Sequence, residues 1–225
     1  MKHVIKKALE GTERDNIEKL INFLEGSDFY TAPASTKYHL AYSGGLMEHS
    51  LNVLNCARGI NSEYSQLFSD SSIVIAALAH DFCKINYYKE VYEPPTDPQK
   101  RYLTSLMSKA GLTLPVKLNK AYAGILIDFM LNSYKGDEVI PVYSHNYQVE
   151  DKLPLGHGEK SLWVVSQFIF LTCDEALAIR WHMGTFDLNF NSPYQRNAYN
   201  DAIKATKLVS ILQLADLEAT YLVEA

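Results

Sequence analysis

Apolar residues recur at helical spacing through most of the chain. Between residues 3 and 25, Ile5, Ala8, Leu9, Ile17, Leu20, Ile21 and Leu24 are separated by charged positions, which predicts one or two amphipathic helices. A turn-rich stretch from Gly26 to Tyr42 follows, and the Gly44-Gly45 pair punctuates the chain before a second helical pattern from about Leu46 to Ile60. Leu46, Val53, Ala57 and Ile60 share one face, and His49 lies on it three residues after Leu46, so its imidazole is expected to point inward. A third helix is expected from Ser72 to about Ile85, where Ile73, Ala76, Ala77 and His80 keep the same rhythm and Asp81 follows near the helix end.

From Asn86 to Leu155 the character changes. Helical patterns around Tyr102 to Lys109 and Val116 to Tyr134 are joined to the loop Pro94-Pro95-Thr96-Asp97-Pro98. Val139 to Val149 alternates β-formers with polar residues after a Lys135-Gly136-Asp137 turn, consistent with a short strand or hairpin. This segment, 86–154, reads as an insertion on a core made of 1–85 and 155–225. The core resumes at Leu155-Gly156-His157-Gly158-Glu159, which leads into a helix with Leu162, Val165 and Ile169 on its stripe. Thr172 to Glu175 forms a capping box that starts the short helix carrying His182. A last helix is expected from about Asn200 to Leu222, and Asp216 interrupts its apolar run. The expectation is one mainly α domain whose mixed insertion includes a short β-hairpin.

The length of 225 residues with 47% apolar content suits a single core. A net charge of -5 argues against a large nucleic-acid surface and leaves room for a local basic cleft. The longest apolar runs, Ile73 to Ala79 and Trp163 to Leu171, fall short of the roughly 18 to 20 residues that span a bilayer, so no membrane association is expected. Met1 to Leu9 lacks an apolar leader region, and a cytoplasmic location follows as the expectation. Cys56, Cys83 and Cys173 are odd in number and widely spaced, and they read as buried thiols in a reducing compartment.

An aspartate on the apolar face of a helix is costly unless a histidine or metal partners it, and Asp216, His80 and Asp81 all raise that demand. Three inward-facing helices would each deliver a nitrogen or oxygen ligand. The absence of thiolates favours Mn, Fe, Ni, Mg or Zn in an N/O site over a structural cysteine site.

The segments Gly44-Gly45-Leu46-Met47-Glu48-His49-Ser50, Ala79-His80-Asp81-Phe82-Cys83-Lys84-Ile85 and Leu214-Ala215-Asp216 resemble, in order, the three signature segments of the HD superfamily of metal-dependent phosphohydrolases. The resemblance covers about 39–85 and 155–222. It implies an HD-domain-like helical bundle with His49, His80, Asp81 and Asp216 around one divalent ion. His157 and His182 are similar to positions that hold a second ion in the binuclear branch, with Asp81 bridging. Two ions roughly 3.5 to 4 Å apart would then activate a water and polarise a phosphate.

In that frame Asp81 and Lys84 are the catalytic candidates, Lys84 either reaching a phosphate oxygen or leaving group or serving only as a helix-end lysine. His39 resembles the lead-in to the first ligand in exoribonuclease-type relatives, and it is either a substrate contact or a surface loop residue. Arg180 either pairs with substrate or packs, with Trp181, against the core. Glu48 is expected to be solvated or to support a ligand indirectly. Tyr87, Tyr88, Tyr92, Tyr143 and Tyr147 form either a stacking platform for a base or an amphipathic surface. The activity implied is hydrolysis of a phosphate ester in a nucleotide, cyclic nucleotide or short oligonucleotide. Alternatives are a 3′→5′ exoribonuclease and an inactive ligand-binding protein on the same scaffold.

Overall fold

Ten α-helices and two short strands make up the regular structure of the described residues, which are 1–36, 40–141 and 145–224 of a computed structural model. The fold is mainly α, as predicted. His39 and Tyr143 lie outside the described residues. The chain divides into two compact units, Met1–Tyr88 with Glu150–Ala225, and Lys89–Val149.

The larger unit is organised around a helix that is buried on every side beyond its first turn. The predicted amphipathic pair is α1 (Lys2–Glu10) and α2 (Ile17–Gly26), which bury Ile5, Leu9, Leu20, Ile21 and Leu24. Next come α3 (Gly45–Glu63) and α4 (Asp70–Ala79). The later elements of this unit are α7 (His157–Ser166), α8 (Cys173–Trp181), α9 (Pro193–Ala205) and α10 (Leu208–Glu218). All seven residues from Ile73 to Ala79 are buried, so α4 is apolar all round where the spacing had suggested a single stripe. It packs against α1, α3, α7 and α8. Burial of Ile73, Val74, Ile75 and Leu78 contributes roughly 1.5–3 kcal/mol each, which fixes α4 as the central post.

Two predicted helices end differently, and both differences matter to the site. The helix expected to reach Ile85 stops at Ala79, His80 caps it, and a 3₁₀ turn spans Phe82–Lys84. The helix expected from Asn200 to Leu222 is broken. α9 begins early, at Pro193 behind a Ser192 cap, and the extended Thr206 separates it from α10 by accepting the Leu208 N–H at 3.2 Å. A wider π turn, Ala219–Val223, follows α10. The Thr172–Glu175 capping box of α8 forms as predicted. Of the cysteines, Cys83 is buried, Cys56 is half-buried and Cys173 is exposed, because Cys173 occupies the first turn of α8 on its open side; all three are free.

In the smaller unit α5 (Asp97–Lys109) packs on α6 (Lys120–Asn132), with Leu103, Met107, Tyr122, Ala123 and Leu126 as their shared core. α5 starts within the segment read as a loop, since Thr96 and Gln99 form a capping box and Pro98 suits the first turn. The strands β1 (Tyr88–Glu90) and β2 (Tyr147–Val149) pair as a small antiparallel sheet.

Candidate metal centre

His49 is carried by α3, one turn after a tight N-terminus. Gly44 adopts φ +90°, and a side chain on Gly45 would stand 2.0 Å from the Leu40 carbonyl oxygen and 3.0 Å from the Ala34 nitrogen. Only glycines let this loop close onto the start of the helix. Asp216 projects from α10, which packs on α3, and its Oδ1 lies 3.2 Å from His49 Nε2.

The His80–Asp81 doublet sits where α4 gives way to the 3₁₀ turn. On a regular helix neighbouring side chains diverge by about 100°. Because Asp81 leaves the helical conformation, at φ -108° and ψ 19°, both side chains reach the same centre. His80 Nε2 is 3.3 Å from His49 Nε2, and Asp81 Oδ2 is 3.6 Å from His49 Nε2 and 3.5 Å from His80 Nε2. The tighter turn also lets Lys84 reach back three residues, placing its Nζ 2.6 Å from Asp81 Oδ2.

The other oxygen of Asp81 faces a different set. Oδ1 is 2.7 Å from His157 Nε2 and 3.8 Å from His182 Nε2. His157 opens α7 and His182 caps the end of α8. Their helices approach closely at Gly158, where a side chain would stand 2.0 Å from the Arg180 carbonyl oxygen. Two clusters result: His49, His80 and Asp216, and Asp81, His157 and His182, each with its donor atoms within 4.8 Å of one another.

Burial and charge set the protonation of these groups. Burial alone would lower His49, but hydrogen bonds to Asp216 and Glu224 carry it up to about 9. Burial works against His157 too, yet Cys83 and the Asp81 carboxylate push it to about 10. His182 is driven down to about 3 by burial and by its neighbours His80 and His157, and burial holds His80 below the usual histidine range. Burial would raise Asp81, but Lys84 and the histidines hold it well below the ordinary carboxylate range. Asp216 is likewise held low, against burial, by its bond with His49.

These donors fit a cation. His80 and His182 each donate Nδ1–H to a backbone carbonyl, Ala77 at 2.7 Å and Ile179 at 2.8 Å, so each neutral ring turns a bare Nε2 toward the centre. Nε2 of His182 is buried without a hydrogen-bond partner among the described residues, and it faces the acceptor oxygen of Asp81. Two acceptors left facing one another in a dry site are costly unless a positive charge lies between them. Comparison with protein-family models, with curated proteins and with solved structures gives no match. The chain is a helical protein whose buried His and Asp groups can hold a metal ion, an arrangement compatible with an HD-type centre.

The clusters open into a cavity of about 780 Å³ in the larger unit. His49, Asp81, Lys84, His157, His182 and Asp216 line it at the polar end. Met183, Phe186, Leu217 and Tyr221 give it an apolar wall. Arg180 is placed elsewhere: it pairs with Glu159 and, at 3.1 Å, with Asp187, and lies 3.9 Å from the centroid of Trp181. It thereby ties the end of α8 to the start of α7. Glu48 receives a hydrogen bond from Tyr42 at the surface, away from the clusters. Tyr87 takes the Lys160 ammonium over its ring and does not line the cavity, where the tyrosines are Tyr199 and Tyr221.

Glu224 was not foreseen. Its carboxylate lies 3.0 Å from His49 Nδ1 and 2.9 Å from Asn52 Nδ2. The residue falls beyond the π turn, where a 3.6-residue pattern no longer tells which side chains share a face.

Proposed function

We propose that the protein is a metal-dependent phosphohydrolase of the HD type, hydrolysing a phosphate ester of a nucleotide, cyclic nucleotide or short oligonucleotide. The observation that carries this reading is the division of Asp81, whose two oxygens face two separate sets of nitrogen and oxygen donors. Divalent ions held by these sets would supply Lewis acidity toward the phosphate and its attacking water.

The chain's own groups provide the rest. Lys84, held at Asp81 and lining the cavity, is placed to donate a hydrogen bond to a phosphate oxygen or to the leaving oxygen. Apart from the histidines it is the one cationic side chain among the described lining residues, which favours a substrate with a single phosphoryl group at the centre over a polyphosphate. The wall of Phe186, Leu217 and Tyr221 offers apolar and aromatic surface to an organic group such as a base. The volume lies within the roughly 300–1,000 Å³ of ordinary small-molecule sites.

The test is a panel of nucleoside monophosphates, cyclic nucleotides, dinucleotides and a labelled RNA, offered to purified protein supplemented with Mn²⁺. Release of phosphate or cleavage of a diester, abolished by chelator and restored by metal, is the expected result. Metal bound without turnover of any substrate would leave a binding protein, and failure to take up metal would end the reading.

A further inference from the structure

The innermost histidines are all held through Nδ1, but not by the same kind of acceptor. His80 and His182 each lean on a carbonyl of their own helix, three residues back. His49 lies one turn into α3, where the carbonyl three residues back, that of Leu46, already accepts from Ser50 Oγ at 2.8 Å, and its Nδ1 meets a carboxylate: Glu224 Oε1 at 3.0 Å and Oε2 at 3.2 Å. The side chain of Glu224 is 1% exposed, and Asn52, one turn beyond His49 on α3, donates to Oε1 at 2.9 Å. The π turn makes this placement possible. The Glu224 N–H bonds to the Ala219 carbonyl at 3.0 Å, five residues back, and this widened turn delivers the carboxylate behind the imidazole.

We propose that Glu224 is the positioning residue of the first cluster. It fixes the His49 ring so that Nε2 faces His80 and Asp216, and its negative charge makes that nitrogen a stronger donor to a cation. Asn52 holds Glu224 in turn. The inference rests on the metal-centre reading above and adds a residue that acts on the ion through the His49 ring. A carboxylate behind a ligand imidazole fixes its tautomer and raises its basicity, and loss of such a partner typically weakens metal binding by about 10–100-fold.

The experiment uses the full chain carrying His157→Ala, which disables the second cluster and leaves the first to be titrated alone with Co²⁺. Adding Glu224→Ala is expected to lower Co²⁺ affinity by about 10–100-fold and to alter the cobalt visible spectrum. Glu224→Gln keeps an acceptor oxygen and is expected to restore part of the loss, while Asn52→Ala gives a smaller one. As a second measurement, ¹⁵N shifts of the metal-loaded parent protein should show His49 protonated at Nδ1 and ligated through Nε2. Unchanged affinity and spectrum in Glu224→Ala, or ligation of His49 through Nδ1, would overturn the proposal. A wild-type protein that takes up no Co²⁺ would instead defeat the metal reading itself.

Discussion

The two clusters of candidate ligands are built by different means. The first draws on three helices packed on or beside one another in the core: His49 one turn into α3, Asp216 from the last turn of α10, and His80 capping the buried post α4. The second draws on helix ends, His157 at the start of α7 and His182 at the close of α8. Exposure singles out one ligand of the second cluster, for the side chain of His157 is 29% exposed while those of His49 and His182 are 2% and 0% exposed. Ligands on α3, α4 and α10 are fixed by the packing of these helices, whereas His157, the first residue of α7, depends on the single close backbone approach at Gly158. The second cluster is therefore adjustable at His157, and the first is the one that folding itself assembles.

The strongest way to break the distinction is to remove what the clusters share. Asp81→Ala is expected to reduce metal content to background at both clusters and to abolish hydrolysis, since each set then loses an oxygen and Lys84 its partner. Elemental analysis of the purified variant checks this, and retention of both ions would exclude Asp81 as a bridge. Proton competition sharpens the contrast. Metal-free His49, held up to about 9, carries a proton that an entering ion must displace, so with His157, the other proton-bearing ligand, replaced by alanine, metal affinity should rise by about tenfold per pH unit from about pH 6 to about pH 8 and level off above about pH 9. Calorimetric titration in buffers of different ionisation enthalpy would report the released proton, and a flat profile would remove His49 from the ligand set.

A smaller effect tests the helix-end construction alone. Gly158→Ala forces a methyl group against the Arg180 carbonyl, so α7 and α8 must part. The expected cost is about 1–3 kcal/mol in urea unfolding, with metal binding weakened at the second cluster and kept at the first. Equal weakening at both would show that the clusters are one mechanical unit.

The same division explains what was legible in the sequence. His49 and His80 could be read because each follows apolar residues at helical spacing, and Asp216 because it breaks an apolar run. His157 and His182 lie at helix ends, where periodicity carries no information, and only the family resemblance singled them out. The end of α4 was placed six residues late because the apolar pattern continues through Phe82 and Ile85 after the backbone has left the helix. The break at Thr206 carries neither glycine nor proline, so α9 and α10 ran together in the pattern. In the smaller unit the Thr96–Gln99 capping box was present to be seen but stood among prolines that suggested only a loop. Glu224 was beyond reach, because a five-residue turn shifts the register that the spacing argument relies on.

Beyond its first turn, α4 has every side enclosed and no way to fray. The amides of Ile73 to Ala79 lie in the innermost part of the larger unit, so their exchange with solvent hydrogen should require the opening of that whole unit. His80 and Asp81 are anchored to this slow segment on one side and to the short turn ending at Lys84 on the other. The His80–Asp81 doublet would then keep its geometry for as long as the larger unit stays closed, while the end bearing His157 moves on the faster clock of a loosened helix terminus.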